Sequence, residues 1–236
     1  MTRPGHAPPA RSAFTRAERA VIDRLRTPLQ VQRYLNRLRY NTERSGETLR
    51  SFRGVVAHRT AHCLEAALFA ATVLEQHGYP PLVLSFESID LLDHVIFVYQ
   101  HQGRWGSVAR SRDPGLHGRR PVFANARALA RSYMEPYIDH TGGIRAYGVA
   151  DLRTLGRYDW RLSSKNVWKV EQMLIDHPHR KVSLPLARER ILRRWYKAFR
   201  TANDDIKPVD YADRDRWTEL PTECLVAEGR VPRRPR

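Results

Sequence analysis

The chain has 236 residues, enough for one core of roughly 150–200 residues with short extensions, and 42% hydrophobic content with five Trp and ten Tyr excludes a disordered polymer. A formal charge of +16 points toward nucleic acid or an anionic surface, but Arg outnumbers Lys 36 to 5 and is spread along the chain, as GC-rich coding bias produces. Two distant cysteines, Cys63 and Cys224, make no disulfide framework, and neither a signal peptide nor an apolar run of about 20 residues is present, so a reduced, cytoplasmic protein without a transmembrane segment is expected.

Residues 1–15, rich in Pro, Arg and Ala, are expected as a flexible basic tail, 16–202 as the folded domain, and 203–236 as a mixed-charge, partly disordered extension. Helical periodicity predicts helices over 16–26 and 28–38, the second capped by Thr27 with Pro28 at its first position. Residues 41–48 are polar and contain glycine, hence a loop. The strongest helix is predicted over about 60–77; Leu64, Ala67, Leu68, Ala71, Val73 and Leu74 make it apolar nearly all round, so it is central and buried. Gly78, with Pro80 and Pro81 beyond, ends it.

The period then changes. Strands are predicted over 82–86, 94–99 and 104–109, the last two joined by a tight turn at Gln102-Gly103. Helices follow over 123–133, from a cap at Ser163 or Ser164 to about 176, and over 186–200; residues 141–155 leave room for a short strand. The last helix carries Ile191, Leu192, Trp195 and Phe199 as an apolar stripe, with arginines on the opposite, solvated face. Helices, a strand meander, then helices define an α+β class.

Cys63 stands near the start of the buried helix, where the positive end of the helix dipole favours thiolate. His94 opens the second strand, next to Asp93 and ahead of five apolar residues, a poor place for core filler. If Gln102 and Gly103 are the central turn residues, Ser111 falls opposite His94; a turn one residue earlier puts Ala109 there. In either register Ser107, Ala109, Ser111 and Asp113 share the face that carries His94.

The stretches Ala61-His-Cys-Leu-Glu, Gly78-Tyr, Asp93-His-Val-Ile-Phe-Val and Gly103-Arg-Trp resemble, in order and spacing, the transglutaminase-like superfamily, and the flanking helices resemble an uncharacterised prokaryotic branch of it. The resemblance covers roughly residues 55–115, about a quarter of the chain. It implies a papain-like α+β fold with a small antiparallel sheet, Cys63 as nucleophile, His94 as base, and Asp113 or Ser111 orienting the imidazole. The implied chemistry is acyl transfer or amide hydrolysis on a peptide, protein or small acyl substrate, with no cofactor and no metal. The departure is that no Asp falls directly opposite His94, which favours a second reading: an inactive fold used as a peptide- or partner-binding module. Nucleic-acid binding, motivated by charge, is a distant third.

Other residues carry weaker signals. His58 and His62, four apart, could share a helix face and hold zinc, but lack the Glu of an HExxH pattern. His62 fits better packed beside the thiol, where it could also tune its pKa. Glu65 is expected in a structural ion pair with Arg59 or the 44–53 loop, and Asn41 as a turn residue or, less readily, an oxyanion donor. Cys224 reads as a plain thiol.

Overall fold

Thr15 and Thr27 open the first two helices, α1 (Arg16–Arg24) and α2 (Pro28–Arg37), in the same way. Each threonine hydroxyl accepts an N–H of the first turn, while the side chain three residues on, Glu18 or Gln30, accepts the threonine's own N–H. The computed structural model describes residues 7–89, 91–112, 114–138 and 143–202. Next come β1 (Arg39–Tyr40), α3 (Phe52–His58), β2 (Thr60–Ala61) and α4 (Cys63–Glu75). Arg59 ends α3 in the left-handed region (φ 57°), and Thr60 and Ala61 then pair in parallel with Arg39 and Tyr40. This break moves the start of the buried helix from the expected residue 60 to Cys63.

The strands are β3 (Leu82–Ser88), β4 (Leu91–His101), β5 (Arg104–Val108), β6 (Arg119–Phe123), β7 (Ala146–Asp151) and β8 (Arg180–Lys181), with α5 (Ala126–Met134) before β7 and α6 (Trp168–Asp176) and α7 (Leu186–Ala202) flanking β8. They form one sheet in the order β6-β5-β4-β3-β7-β8, every described pair antiparallel. Gln102 and Gly103 both have positive φ (49° and 71°), which is the two-residue turn predicted, and His101 pairs with Arg104. Among the described residues the class is mixed α+β, with seven α-helices and a small antiparallel sheet.

Both faces of the sheet are covered, which is why its strands read as unbroken apolar runs. Val83, Val95, Phe97, Tyr99 and Val108 pack with α4 and the N-terminal helices in the larger core. Leu84, Phe86, Ile96, Val98 and Ala109 point the other way, onto Leu129, Ala130 and Tyr133 of α5. Helix α4 is buried along its whole length after Cys63. Among the described residues no helix is long and apolar enough to cross a membrane.

Several elements differ from expectation. The tail is anchored from Pro9 onward: the Pro9 carbonyl accepts from Gln76 Nε2 (2.9 Å), and Phe14, 2% exposed, meets Phe52 edge-on at 5.9 Å. Helix α3 is additional, its Gly54 and paired valines having masked it. Residues 119–123 form β6, so the predicted helix over 123–133 starts later, capped by Asn125. Helix α6 begins at Trp168 instead of after Ser163, whose hydroxyl is spent on Lys165 N–H. The extension over 203–236, with Cys224, lies outside the described residues.

Candidate active site

The first turn of α4 is built by His62 and Glu65. The His62 N–H donates to Glu65 Oε2 (3.1 Å), and the Leu64 N–H donates to His62 Nδ1 (3.3 Å), a capping box with histidine at the cap. Glu65 is fully buried and accepts three further bonds: from Asn41 Nδ2 (3.0 Å), Thr48 Oγ1 (2.9 Å) and Arg50 N–H (3.0 Å). Thr48 and Arg50 come from the 44–53 loop, Asn41 and His62 flank it, and Arg59 is not among the partners. Asn41 spends its amide hydrogens on Glu65 and Thr48 Oγ1 (2.7 Å), which removes it as an oxyanion donor. The result is a rigid helix start with Cys63 at its first position, partly exposed.

Two imidazoles, those of His62 and His94, set the electrostatics of the Cys63 thiol. Burial pushes the thiol up, but the hydrogen bonds of His62 and His94, with their charges, outweigh it and hold the thiol well below its ordinary value. Burial likewise works against the charged form of His62, yet the Cys63 hydrogen bond and charge, Glu65 and the Thr48 carbonyl lift its pKa to about 9. His62 Nε2 lies 2.9 Å from the Thr48 carbonyl, which can only accept, so Nε2 carries hydrogen. Neutral, the ring caps Leu64 through Nδ1; protonated, Nδ1 becomes a donor and no longer accepts from the Leu64 N–H.

His94 is 3% exposed, its ring packed against those of Phe86 (6.0 Å) and Tyr133 (6.1 Å), which also meet each other. A bulge in the β3–β4 ladder, where Asp93 is the extra residue between Leu92 and His94, sets its direction. The β4–β5 ladder ends at Phe97 opposite Val108, leaving that flank of β4 open around His94. The chain departs there because Gln32 of α2 takes both backbone groups of Ala109: Ala109 N–H to Oε1 (2.9 Å), and Nε2 to Ala109 carbonyl (2.7 Å). Gly118 permits this approach, since a Cβ there would overlap Gln32 Oε1 and Ser107 carbonyl.

The register that sets Ser111 against His94 is thus present in the turn but not carried through. His94 Nε2 instead meets the Leu116 carbonyl at 3.1 Å. That carbonyl accepts, so Nε2 bears the hydrogen and Nδ1 is the nitrogen left to face the thiol. The Ser111 carbonyl accepts from Arg110 Nη1 (2.6 Å) and lies 3.0 Å from His117 Nε2. Asp113 lies outside the described residues. Neither Leu116 nor its loop was legible in advance, because a backbone carbonyl leaves no residue signature.

Two further neighbours escaped the sequence reading. Tyr40 lies where Arg110 and Arg112 hold guanidinium groups 5.8 and 5.9 Å from its ring centre; burial and the Cys63 charge push its phenol above the ordinary value. Its position beside Ala61 in the β1–β2 pair, two residues before Cys63, needs the fold to be seen. His117 is buried, and desolvation chiefly, with the charges of Arg110, Arg119 and His94, pulls its pKa down to about 4. His58 ends α3 and is exposed while His62 caps α4, so the two do not share one helix. Among the described residues no three His, Cys, Asp or Glu side chains gather as metal ligands.

Compared with protein-family models, the chain matches none. A search of curated proteins finds no match either.

Proposed function

We propose that this chain is a cysteine-dependent acyl-transfer enzyme, a hydrolase or transferase of the transglutaminase-like type. The observation that carries the reading is the thiol at the first turn of a buried helix, held well below its ordinary value by His62 and by His94, whose Nε2 is fixed by the Leu116 carbonyl. That is nucleophile, base and orienting group in sequence.

In this mechanism the Cys63 sulfur attacks the carbonyl carbon of an amide, ester or thioester while His94 Nδ1 holds the thiol's proton. The new C–S bond sends the carbonyl π pair onto oxygen, where the Cys63 N–H at the first turn of α4 helps stabilise it. As the tetrahedral centre collapses, the bond to the leaving group breaks and His94 delivers the proton to it. Water or an amine then attacks the thioester, His94 takes its proton, and thiolate leaves. His62, lifted to about 9, serves as a fixed cation that keeps the sulfur ionised.

A carbonyl stabilises a protonated imidazole less than a carboxylate does, and this favours the second reading, a partner-binding module that has kept the fold. One experiment separates them. With Cys224 replaced by Ser, the pH dependence of Cys63 alkylation by iodoacetamide is measured with and without His94→Ala. Enzymatic function requires a midpoint well below about 8.5 that rises when His94 is lost. An ordinary midpoint, indifferent to His94, sinks the proposal.

A further inference from the structure

Arg119 is 2% exposed, and among the described residues no carboxylate lies within ion-pair distance of it. A buried cation without a counter-charge is costly and persists only where every N–H has an acceptor. Here the acceptors are mostly backbone. Nη1 donates to the His117 carbonyl (2.5 Å) and Nη2 to the Gly115 carbonyl (2.7 Å) and the Ser132 carbonyl (3.2 Å), while Nε donates to Ser132 Oγ (3.2 Å). The guanidinium lies on the Tyr133 ring, 3.9 Å from its centre, and the Tyr133 hydroxyl donates a second bond to the His117 carbonyl (3.0 Å).

The carbonyl between the two that Arg119 holds is that of Leu116, the one facing His94 Nε2. We infer that Arg119 is the positioning residue of the Cys63–His94 pair: its fork fixes the carbonyls of Gly115 and His117 so that the Leu116 carbonyl stays turned to the imidazole. This inference rests on the acyl-transfer reading of the pair. A planar fork can grip two carbonyls at a set separation; an ammonium group cannot. Arg119 thus supplies from a distance the orientation, though not the charge, that a carboxylate would supply by contact, at the cost of a buried charge. On this account the loop between β5 and β6 serves to present one backbone oxygen to the imidazole.

The test uses the full chain with Cys224→Ser. Acylation of Cys63 by p-nitrophenyl acetate and its alkylation by iodoacetamide across pH are compared for wild type, Arg119→Lys, Arg119→Met and His94→Ala. Both Arg119 variants are expected to lose about 10²-fold in acylation, the scale of a misplacement of about 1 Å. Their alkylation midpoints should move to that of His94→Ala, and Arg119→Met should add nothing on top of His94→Ala. Tyr133→Phe, which keeps the ring and removes one bond to His117, should shift the midpoint the same way by less, and decides the matter if Arg119→Met does not fold. Wild-type acylation in Arg119→Met, rescue by Arg119→Lys, or equal losses with and without His94 would overturn the positioning role alone. A wild-type midpoint at the ordinary thiol value, unmoved by His94→Ala, would overturn the pair and Arg119 with it.

Discussion

His94 and Leu116 are joined by a 3.1 Å contact between an imidazole nitrogen and a backbone carbonyl, 22 residues apart, and it assigns the two ring nitrogens their roles. The hydrogen on Nε2 is committed to the carbonyl, which leaves Nδ1 as the nitrogen available to accept a proton. A serine or aspartate at that place would be a replaceable side chain; a carbonyl can be altered only by moving the loop.

The two histidines should separate by experiment. Loss of His94 removes the proton carrier, and loss of His62 removes a cation beside the sulfur. His94→Ala is expected to lower acylation by p-nitrophenyl acetate about 10²- to 10⁴-fold. His62→Ala should lower it only in proportion to the thiolate lost. Each should raise the alkylation midpoint in part, and the double variant should bring it to about 8.5 or above, because burial then acts on the thiol without their opposition. A double variant no different from His94→Ala would remove His62 from the ionisation of Cys63.

Glu65 carries the loop-to-helix junction. Its four donors are an amide, a hydroxyl and two backbone N–H groups, and all point at the carboxylate. Glu65→Gln would set an NH₂ against at least one of them. The expected cost is about 3 kcal/mol in urea unfolding, since a buried donor is left unmatched in a charge-assisted network. A loss under about 0.5 kcal/mol, typical of a surface substitution, would show that the junction tolerates the change.

The parts of the fold legible in the sequence are those with a strong local code. The Thr27-Pro28 start, the apolar run of α4 and the Gln102-Gly103 turn each state their own geometry, and the turn fixed the strand register. Cys63 stood out because it opens an otherwise apolar helix, and His94 because it precedes an apolar run, although β4 itself begins three residues earlier, at Leu91, and not at His94 as expected. What escaped was non-local. Gln32 ends β5 from 77 residues away, and Arg119 bonds the backbone carbonyls of Gly115 and His117, contacts that no side-chain pattern announces. The anchored segment before α1 escaped too: one Phe among Pro and Arg gives no periodicity, yet Phe14 is 2% exposed.

That residue supports a direct test. Phe14 packs against Phe52, which in turn meets Phe69 of α4 at 5.3 Å, so it closes one end of the larger core. Phe14→Ala is expected to cost about 3 kcal/mol, the lower part of the range for buried aromatics. Leu29→Ala, at a site 41% exposed, should cost under about 1 kcal/mol. Equal costs, read from urea midpoints at unchanged slope, would show that the segment before α1 is dispensable.

The acid limb of stability should belong in part to His117. Folded, its imidazole is neutral down to about pH 4, because burial and the neighbouring Arg110, Arg119 and His94 oppose a further charge. Unfolded, it takes up a proton near 6.5. Above about 6.5 both states are neutral and His117 contributes no pH dependence. Between 6.5 and 4 the unfolded state binds the extra proton, so stability falls by about 3 kcal/mol, levelling below 4. Carboxylates such as Glu18, whose pKa its Arg53 partner and the Thr15 bonds hold down against burial, add their own loss only as pH drops further. His117→Gln should therefore be less stable than wild type at pH 7, having lost the ring that fills the loop, but fall less steeply toward pH 4. Urea midpoints at pH 7, 6, 5 and 4 would show the two curves converging; parallel curves would mean that the buried imidazole takes its proton as readily folded as unfolded.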